Sequence, residues 1–322
     1  MRSAFLVIDK PAGITSHDVV AAVRAVTGAK KVGHTGTLDP FATGVLPLAL
    51  GGATRLIQYL DESLKVYDAT VALGSSTDTG DPTGQVLEEA PVPAVDASTV
   101  RAALDTFVGP RMQTPPAYSA VKKDGKPLYK YARAGEKVEV PARPITIHAL
   151  DLTELTATHL RVRIECSRGT YARVLAEEIA EALGTKGHLS ALARLQSGPF
   201  VIERSLGFEE LASIVSAEPD RTWEEVLLSK GRPKTEPRVR WKRRDDVLAA
   251  LEPRFLKPLQ CLSHLPLVDV DQEEARRVLS GWVPPRVPPG VAEGAKYLLA
   301  EGDRVLAIAE TTATDPRSVR TF

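Results

Sequence analysis

The sequence has only two cysteines, Cys166 and Cys261, and they form no C-x-x-C pair. Neither a disulfide framework nor a zinc or redox motif follows from them, and a reducing, cytoplasmic setting is expected. Cys166 ends an apolar alternation over residues 160–166 and reads as a core residue. Long apolar runs are also missing. The N-terminal MRSAFLVIDKPAG is broken by Asp9 and Lys10, which is too short for a signal core or a membrane span. No later stretch is long and apolar enough to cross a bilayer. Net charge is absent as well, with 41 basic residues against 41 acidic ones. Taken alone, that balance argues against a nucleic-acid partner. No Ser-His-Asp triad, metal-ligand cluster or internal repeat is legible. Residues 75–84, SSTDTGDPTG, hold Asp78 and Asp81, but without the glycine and closing glutamate of an EF-hand. They read as a tight polar turn.

What is present is an ordinary globular composition, 43% hydrophobic and 25% charged, over 322 residues. That length suits one large domain and a smaller one. The charge balance conceals local clusters. Residues 122–133 carry five basic residues and one acid, and residues 230–244 carry eight and one. Such clusters, rather than the total, set the field that a phosphate backbone meets, although charge runs are also common on plain solvated faces. In the first cluster Tyr118, Tyr129 and Tyr131 are interleaved with Lys122, Lys123, Lys126, Lys130 and Arg133. Cations mixed with stacking rings suit an RNA groove.

Periodicity predicts a strand over 5–9 and a helix from Ser16 to Val26, stopped by Gly28. Further helices are expected over 53–60, from Ser98 to Val108, from the opening segment 167–173 to Leu183 with Gly184 as the stop, from Ser205 to Val215, and around 245–251. Strands are expected over 65–73, 145–152, 159–166, 188–198 and 201–206. Asp271-x-x-Glu274 predicts a capped helix, followed by strands over 296–300 and 305–310. The outcome is an α+β chain with a sizeable antiparallel sheet.

One stretch stands apart. Residues 33–44, GHTGTLDPFATG, hold three glycines, three threonines, a histidine and one carboxylate. Pro40 pushes Asp39 into an extended conformation, so the loop presents a single acid between two turns. Without a triad or a metal cluster, what is left is a carboxylate, an arginine and a tyrosine, with no obvious second carboxylate as acid–base partner. A buried aspartate of this kind can add to an electrophilic carbon, with burial raising its pKa and a nearby arginine keeping it ionised.

The longer stretch GHTGTLDPFATGVLPLALGGATR resembles the signature of the TruB family of tRNA pseudouridine synthases, with Phe41 in place of the usual Leu and Arg55 where Lys is frequent. Four more blocks resemble that family in the same order: K-x-Y at 65–67, the 75–84 segment, PPAYSAVKKDGKPLYKYARAG at 115–135, and GTYAR at 169–173. The resemblance implies a pseudouridine-synthase-type mixed, largely antiparallel sheet flanked by helices, with a small C-terminal PUA-like β-rich domain. The expected divisions are a catalytic domain over 1–216, a basic insertion or linker over 217–258, and a PUA-like RNA-binding domain over 259–322. It implies isomerisation of uridine 55 in the tRNA T-loop, without cofactor or metal, by a cytoplasmic monomer with no membrane and no obligate protein partner. Asp39 stands at the catalytic aspartate's position, Tyr67 at that of the tyrosine stacking on the target base, and Arg173 is the candidate cation for Asp39. His34, Arg55, Tyr171, Leu192, Lys122, Lys130 and Arg133 are the expected substrate-binding residues. Whether attack falls on C6 of the ring or C1′ of the sugar stays open. A nucleoside glycosidase and a non-catalytic RNA-binding protein are the rival readings.

Overall fold

The computed structural model describes residues 3–61, 63–136, 138–228, 239–312 and 316–322. The elements are β1 Ala4–Lys10, α1 Ser16–Thr27, β2 Val32–His34, β3 Thr43–Leu50, β4 Lys65–Leu73, β5 Ser75–Thr77, β6 Val86–Glu89, α2 Ala97–Asp105 and β7 Gly109–Gln113. The chain continues with β8 Lys122–Lys123, β9 Lys126–Pro127, α3 Leu128–Ala132, β10 Arg143–Leu155, β11 His159–Cys166, α4 Ala172–Ala182, β12 Gly187–Ser197, β13 Phe200–Val201, β14 Leu206–Gly207 and α5 Phe208–Val215. It ends with α6 Trp223–Leu227, α7 Arg244–Leu251, α8 Pro258–Cys261, β15 Leu267–Asp269, α9 Gln272–Leu279, β16 Lys296–Glu301, β17 Arg304–Glu310 and β18 Arg317–Thr321.

The large sheet runs β14-β1-β3-β12-β4-β11-β10-β7, with β2 added to β3 and β13 to β12. Its pairings are antiparallel except β1 with β14 and β3 with β12. The mixed, largely antiparallel sheet expected from the sequence is therefore present. Alternation along each strand sends successive side chains to opposite faces. On one face Leu6, Ile8, Leu46, Leu48, Tyr67, Val71, Val162 and Ile147 pack beneath helices α1, α2, α4, α5, α6 and α7. On the other face of β1 and β3, Phe5, Val7, Val45 and Ala49 pack with Leu298, Val305 and Ile308 of a second sheet, ordered β15-β16-β17-β18. That sheet's far side closes over α9 through Val268, Ala275, Val278, Leu299 and Leu306.

Several boundaries differ from the sequence reading for local reasons. The N-cap of α1 is Thr15, in a capping box with Asp18, because the Ser16 hydroxyl is taken up by the backbone of Leu38. Asp96, not Ser98, caps α2. Residues 53–60 form two short 3-10 turns instead of an α-helix, starting from Gly51-Gly52 where helix propensity is low. The expected strand over 201–206 is split by a 3-10 turn at Ile202–Arg204. By contrast, β4 and β11 fall on the expected limits, and α9 has the Asp271–Glu274 box. Of the basic stretch 230–244, residues 230–238 lie outside the described ones. Its flanks are packed: Val226 and Leu227 on one side and Val247 and Leu251 on the other are buried in the helical layer. Among the described residues no helix is long and apolar enough to cross a membrane, and no group of three or more His, Cys, Asp or Glu is placed to hold a metal ion.

Candidate active site

The loop between β2 and β3 is tied down on every side, and this is what aims Asp39. Leu38 exchanges two hydrogen bonds with the Ser16 hydroxyl, donating its N–H at 2.9 Å and accepting the Oγ–H at 3.0 Å. The Pro40 carbonyl accepts from Gly13 N–H at 2.8 Å and from Lys10 Nζ at 3.1 Å. From below, Arg194 on β12 donates to the carbonyls of Val45 at 2.7 Å, Gly36 at 3.1 Å and Thr37 at 3.4 Å. Arg194 is only 1% exposed, so these bonds replace solvation that a buried guanidinium would otherwise lose. The loop's last glycine, Gly44, has φ +97°, and a Cβ there would lie 2.2 Å from the Arg194 carbonyl. Only glycine permits so close an approach where β3 pairs with β12.

Asp39 itself is about one-third exposed. Its Oδ2 lies 3.0 Å from Arg173 Nε. Arg173 sits in the first turn of α4 and is buried. Its Nη1 donates to the Thr79 carbonyl at 2.7 Å and its Nη2 to the Tyr118 carbonyl at 2.8 Å. A second carboxylate, Asp81, approaches Arg173 Nη1 at 3.8 Å. Asp81 is buried, and its Oδ1 accepts from the Thr79 hydroxyl, the Thr83 hydroxyl and the Thr83 N–H. Burial pushes the Asp39 carboxyl above the ordinary carboxylate range, Arg173 pulls it back, and the Asp81 charge adds to the rise. Lys10, fully buried and donating to the carbonyls of Pro11, Ile14 and Pro40, is brought down by desolvation to about 8.

Tyr67 lies on β4 between Ile164 of β11 and Arg194 of β12, on the helix-covered face. It is 8% exposed. Burial raises its phenol, opposed by the charge of Arg194 and a hydrogen bond to it, while Asp39 is near enough to raise it further. Asp39, Arg173 and Tyr67, from three separate blocks of sequence, thus meet in one place. Leu192, opposite Ala69 on β12, belongs to the same cluster as Tyr67. His34 is half-buried on β2, edge-on to His17 with ring centroids 5.3 Å apart. Desolvation, His17 and Arg194 all favour its neutral form. The backbone of Tyr171, which precedes α4, is held by the side chain of Gln113. Lys122, Lys130 and Arg133 stand exposed on a hairpin and short helix formed by β8, β9 and α3. There Lys126 covers the Tyr131 ring at 3.9 Å and Arg133 the Tyr129 ring at 5.5 Å. Arg55 is not drawn to the Asp39 loop. It donates to the Thr321 carbonyl at 3.3 Å and lies over the Phe322 ring, tying the large sheet to the chain's C-terminal end.

Four contributors escape a reading by motif: Asp81, Lys10, Arg194 and Gln113. Asp81 lies in a segment that reads as a polar turn, and its link to Arg173 exists only after folding. Lys10 looks like a charge ending a strand. A partial signal was available for Arg194: it stands two residues from the apolar Leu192, on the same phase of the strand, whereas Leu189 joins that phase only through the bulge between Leu189 and Ala191.

Known proteins share this arrangement of chain. Residues 24–172 match the model of the TruB family pseudouridylate synthase N-terminal domain. A tRNA pseudouridine synthase B of Geobacter sulfurreducens is 40% identical over 315 residues, 96% of this chain and 93% of the relative. One from Bacillus licheniformis is 47% identical over 234 residues, 71% of this chain and 75% of the relative. Among solved structures, a chain in a Cbf5-Nop10-Gar1 complex superimposes with a TM-score of 0.67 at 24% identity, covering 97% of this chain and 79% of that one. At that identity the likeness speaks to the fold alone. The fold is that of the pseudouridine synthases. The chain belongs to the TruB family of that class and is an isomerase.

Proposed function

We propose that this enzyme converts a uridine in the T-loop of tRNA, position 55, to pseudouridine, with Asp39 as the nucleophile. The observation that carries the reading is the Asp39–Arg173 pair at 3.0 Å, with the buried Tyr67 near enough to feel the Asp39 charge. The relatives named tRNA pseudouridine synthase B support tRNA as the substrate. A nucleotide must leave its stack to bring its glycosidic bond to a carboxylate held in this way, and a loop nucleotide does so for a few kcal/mol at most. Tyr67 then stacks on the extruded uracil. Arg173 holds one Asp39 oxygen, which leaves the other to attack. The N1–C1′ bond breaks, the uracil turns, C5 bonds to C1′, the bond to Asp39 is released, and the C5 proton leaves to solvent as N1 gains one. Atoms balance without any cofactor, because the product is an isomer of the substrate. Tyr67, near enough to feel the Asp39 charge, can take part in that proton transfer. His34, Tyr171 and Leu192 line the approach, and Lys122, Lys130 and Arg133 meet the backbone of the RNA. Arg55, occupied at the C-terminal end, has no part in this account. We read the chain as a monomer acting without an obligate protein partner, which sedimentation of the protein with and without tRNA tests.

The decisive experiment uses tRNA transcript carrying tritium at uracil C5. Wild-type protein is expected to release tritium to water, and Asp39→Asn essentially none while still binding tRNA. Retained tritium with wild-type protein would remove the synthase reading. Free uracil among the products would favour the glycosidase.

A further inference from the structure

We propose that Gln113 is a positioning residue for Arg173, a role that rests on the Asp39–Arg173 reading above. Gln113 ends β7 and is 2% exposed, one of the few uncharged polar side chains buried in the large sheet. Its amide is spent entirely on one backbone unit. Oε1 accepts the Tyr171 N–H at 2.8 Å, and Nε2 donates to the Tyr171 carbonyl at 3.2 Å. Tyr171 is the N-cap of α4, and its own side chain makes no capping hydrogen bond. The start of the helix is therefore set from outside, by a neighbouring strand. Arg173 follows two residues later, in the first turn, where any shift of the helix start carries its guanidinium with it.

The segment that leaves this strand holds the other end of Arg173. Five residues beyond Gln113, the Tyr118 carbonyl accepts from Arg173 Nη2 at 2.8 Å. Residues 113–118 thus bracket Arg173, gripping its helix by the backbone and its guanidinium by the tip. Gln113 also pairs with Arg143 across β7 and β10, at the base of the excursion that carries Lys122, Lys130 and Arg133. One strand end joins the cationic hairpin to the arginine that orients Asp39. Replacing the amide by an apolar group of similar length leaves the Tyr171 N–H unmet and removes one of the two donors to its carbonyl, which keeps only the Leu175 N–H at 3.1 Å, so the first turn of α4 is freer to shift. A displacement of about 1 Å in a positioned group is enough to cost up to about a hundredfold in rate.

The test measures single-turnover tritium release at saturating tRNA, across pH, for Gln113→Met and Gln113→Asn, together with tRNA Kd and Tm. We expect release to slow by about tenfold or more while Kd stays within about twofold, since the amide acts on the reacting centre and not on uniform binding. The acid limb of the rate should also move to higher pH, because a less well-placed guanidinium lowers the Asp39 carboxyl less. A purely structural role would lower Tm without moving that limb. A folded variant that releases tritium at the wild-type rate, or slowly with an unmoved acid limb, overturns the proposal. If Gln113→Met does not fold, Gln113→Asn, which keeps the amide but withdraws it by one methylene, carries the same measurements. Wild-type protein that releases no tritium would overturn the reading beneath the proposal instead.

Discussion

Asp39 feels two opposed influences. Burial disfavours its charge, and Arg173 at 3.0 Å favours it, with burial the larger. Its folded pKa is therefore raised above the unfolded value of 3.8. The native state binds this proton more readily than the unfolded chain, so ionised Asp39 costs stability once pH exceeds the folded pKa. That cost disappears as pH falls toward 3.8. Two outcomes are expected. The rate should fall on the acid side at a pH above that of an ordinary aspartate, which a pH profile of single-turnover tritium release reads. At neutral pH, Asp39→Asn should melt no lower than wild type despite its inactivity, and a clear drop in Tm would contradict this assignment. At this scale much is legible in the sequence. The Gly- and Thr-rich loop announces Asp39, and the ordered blocks single out Tyr67 and Arg173. Asp81 is not legible, because its three hydrogen-bond donors lie within residues 79–83 and make it look self-contained. Its approach to Arg173 depends on where α4 docks.

At the scale of elements, the hairpin of β8 and β9 with α3 is largely self-supporting. Asp124 and Gly125 turn it with φ of 51° and 77°, and cation–π contacts from Lys126 and Arg133 hold its tyrosines. Part of the interleaving that suggests an RNA groove therefore serves the hairpin's own packing. Lys122 and Lys130 remain exposed. Replacing both by Gln should weaken tRNA binding and reduce the slope of log K against log salt by about 0.7–0.9 for each phosphate no longer neutralised. A salt titration that leaves the slope unchanged would remove these lysines from the interface. Strands are more legible than helix starts. Alternation over β4 and β11 marks both their limits, whereas the caps of α1 and α2 lie one or two residues before the serines that periodicity suggests. Serine, threonine and aspartate compete for a cap, and tertiary contacts settle the competition, as Leu38 does for Ser16.

Across the whole molecule, the second sheet is not an appendage. Leu298, Val305 and Ile308 share one apolar cluster with Phe5, Val7 and Val45, and Phe5 exchanges backbone hydrogen bonds with Leu256. Ile308→Ala should cost about 2–5 kcal/mol, as for other fully buried large-to-small changes. Urea unfolding followed by both fluorescence and loss of tritium release should show one shifted transition. Two separate transitions, with catalysis surviving the first, would mean that the sheets fold independently.

Local sequence is enough to place most of the long strands and helices, though not the turns over 53–60 or the break within 201–206, and to say which loop holds the acid. Those properties rest on periodicity, turn chemistry and motif order, each expressed within a few residues. The company Asp39 keeps is settled by folding alone. Residues 10, 39, 67, 81, 173 and 194 converge because the strand order puts β12 between β3 and β4 and docks α4 on that face. Register and docking come from the packing of a whole apolar face, which no short window of sequence contains.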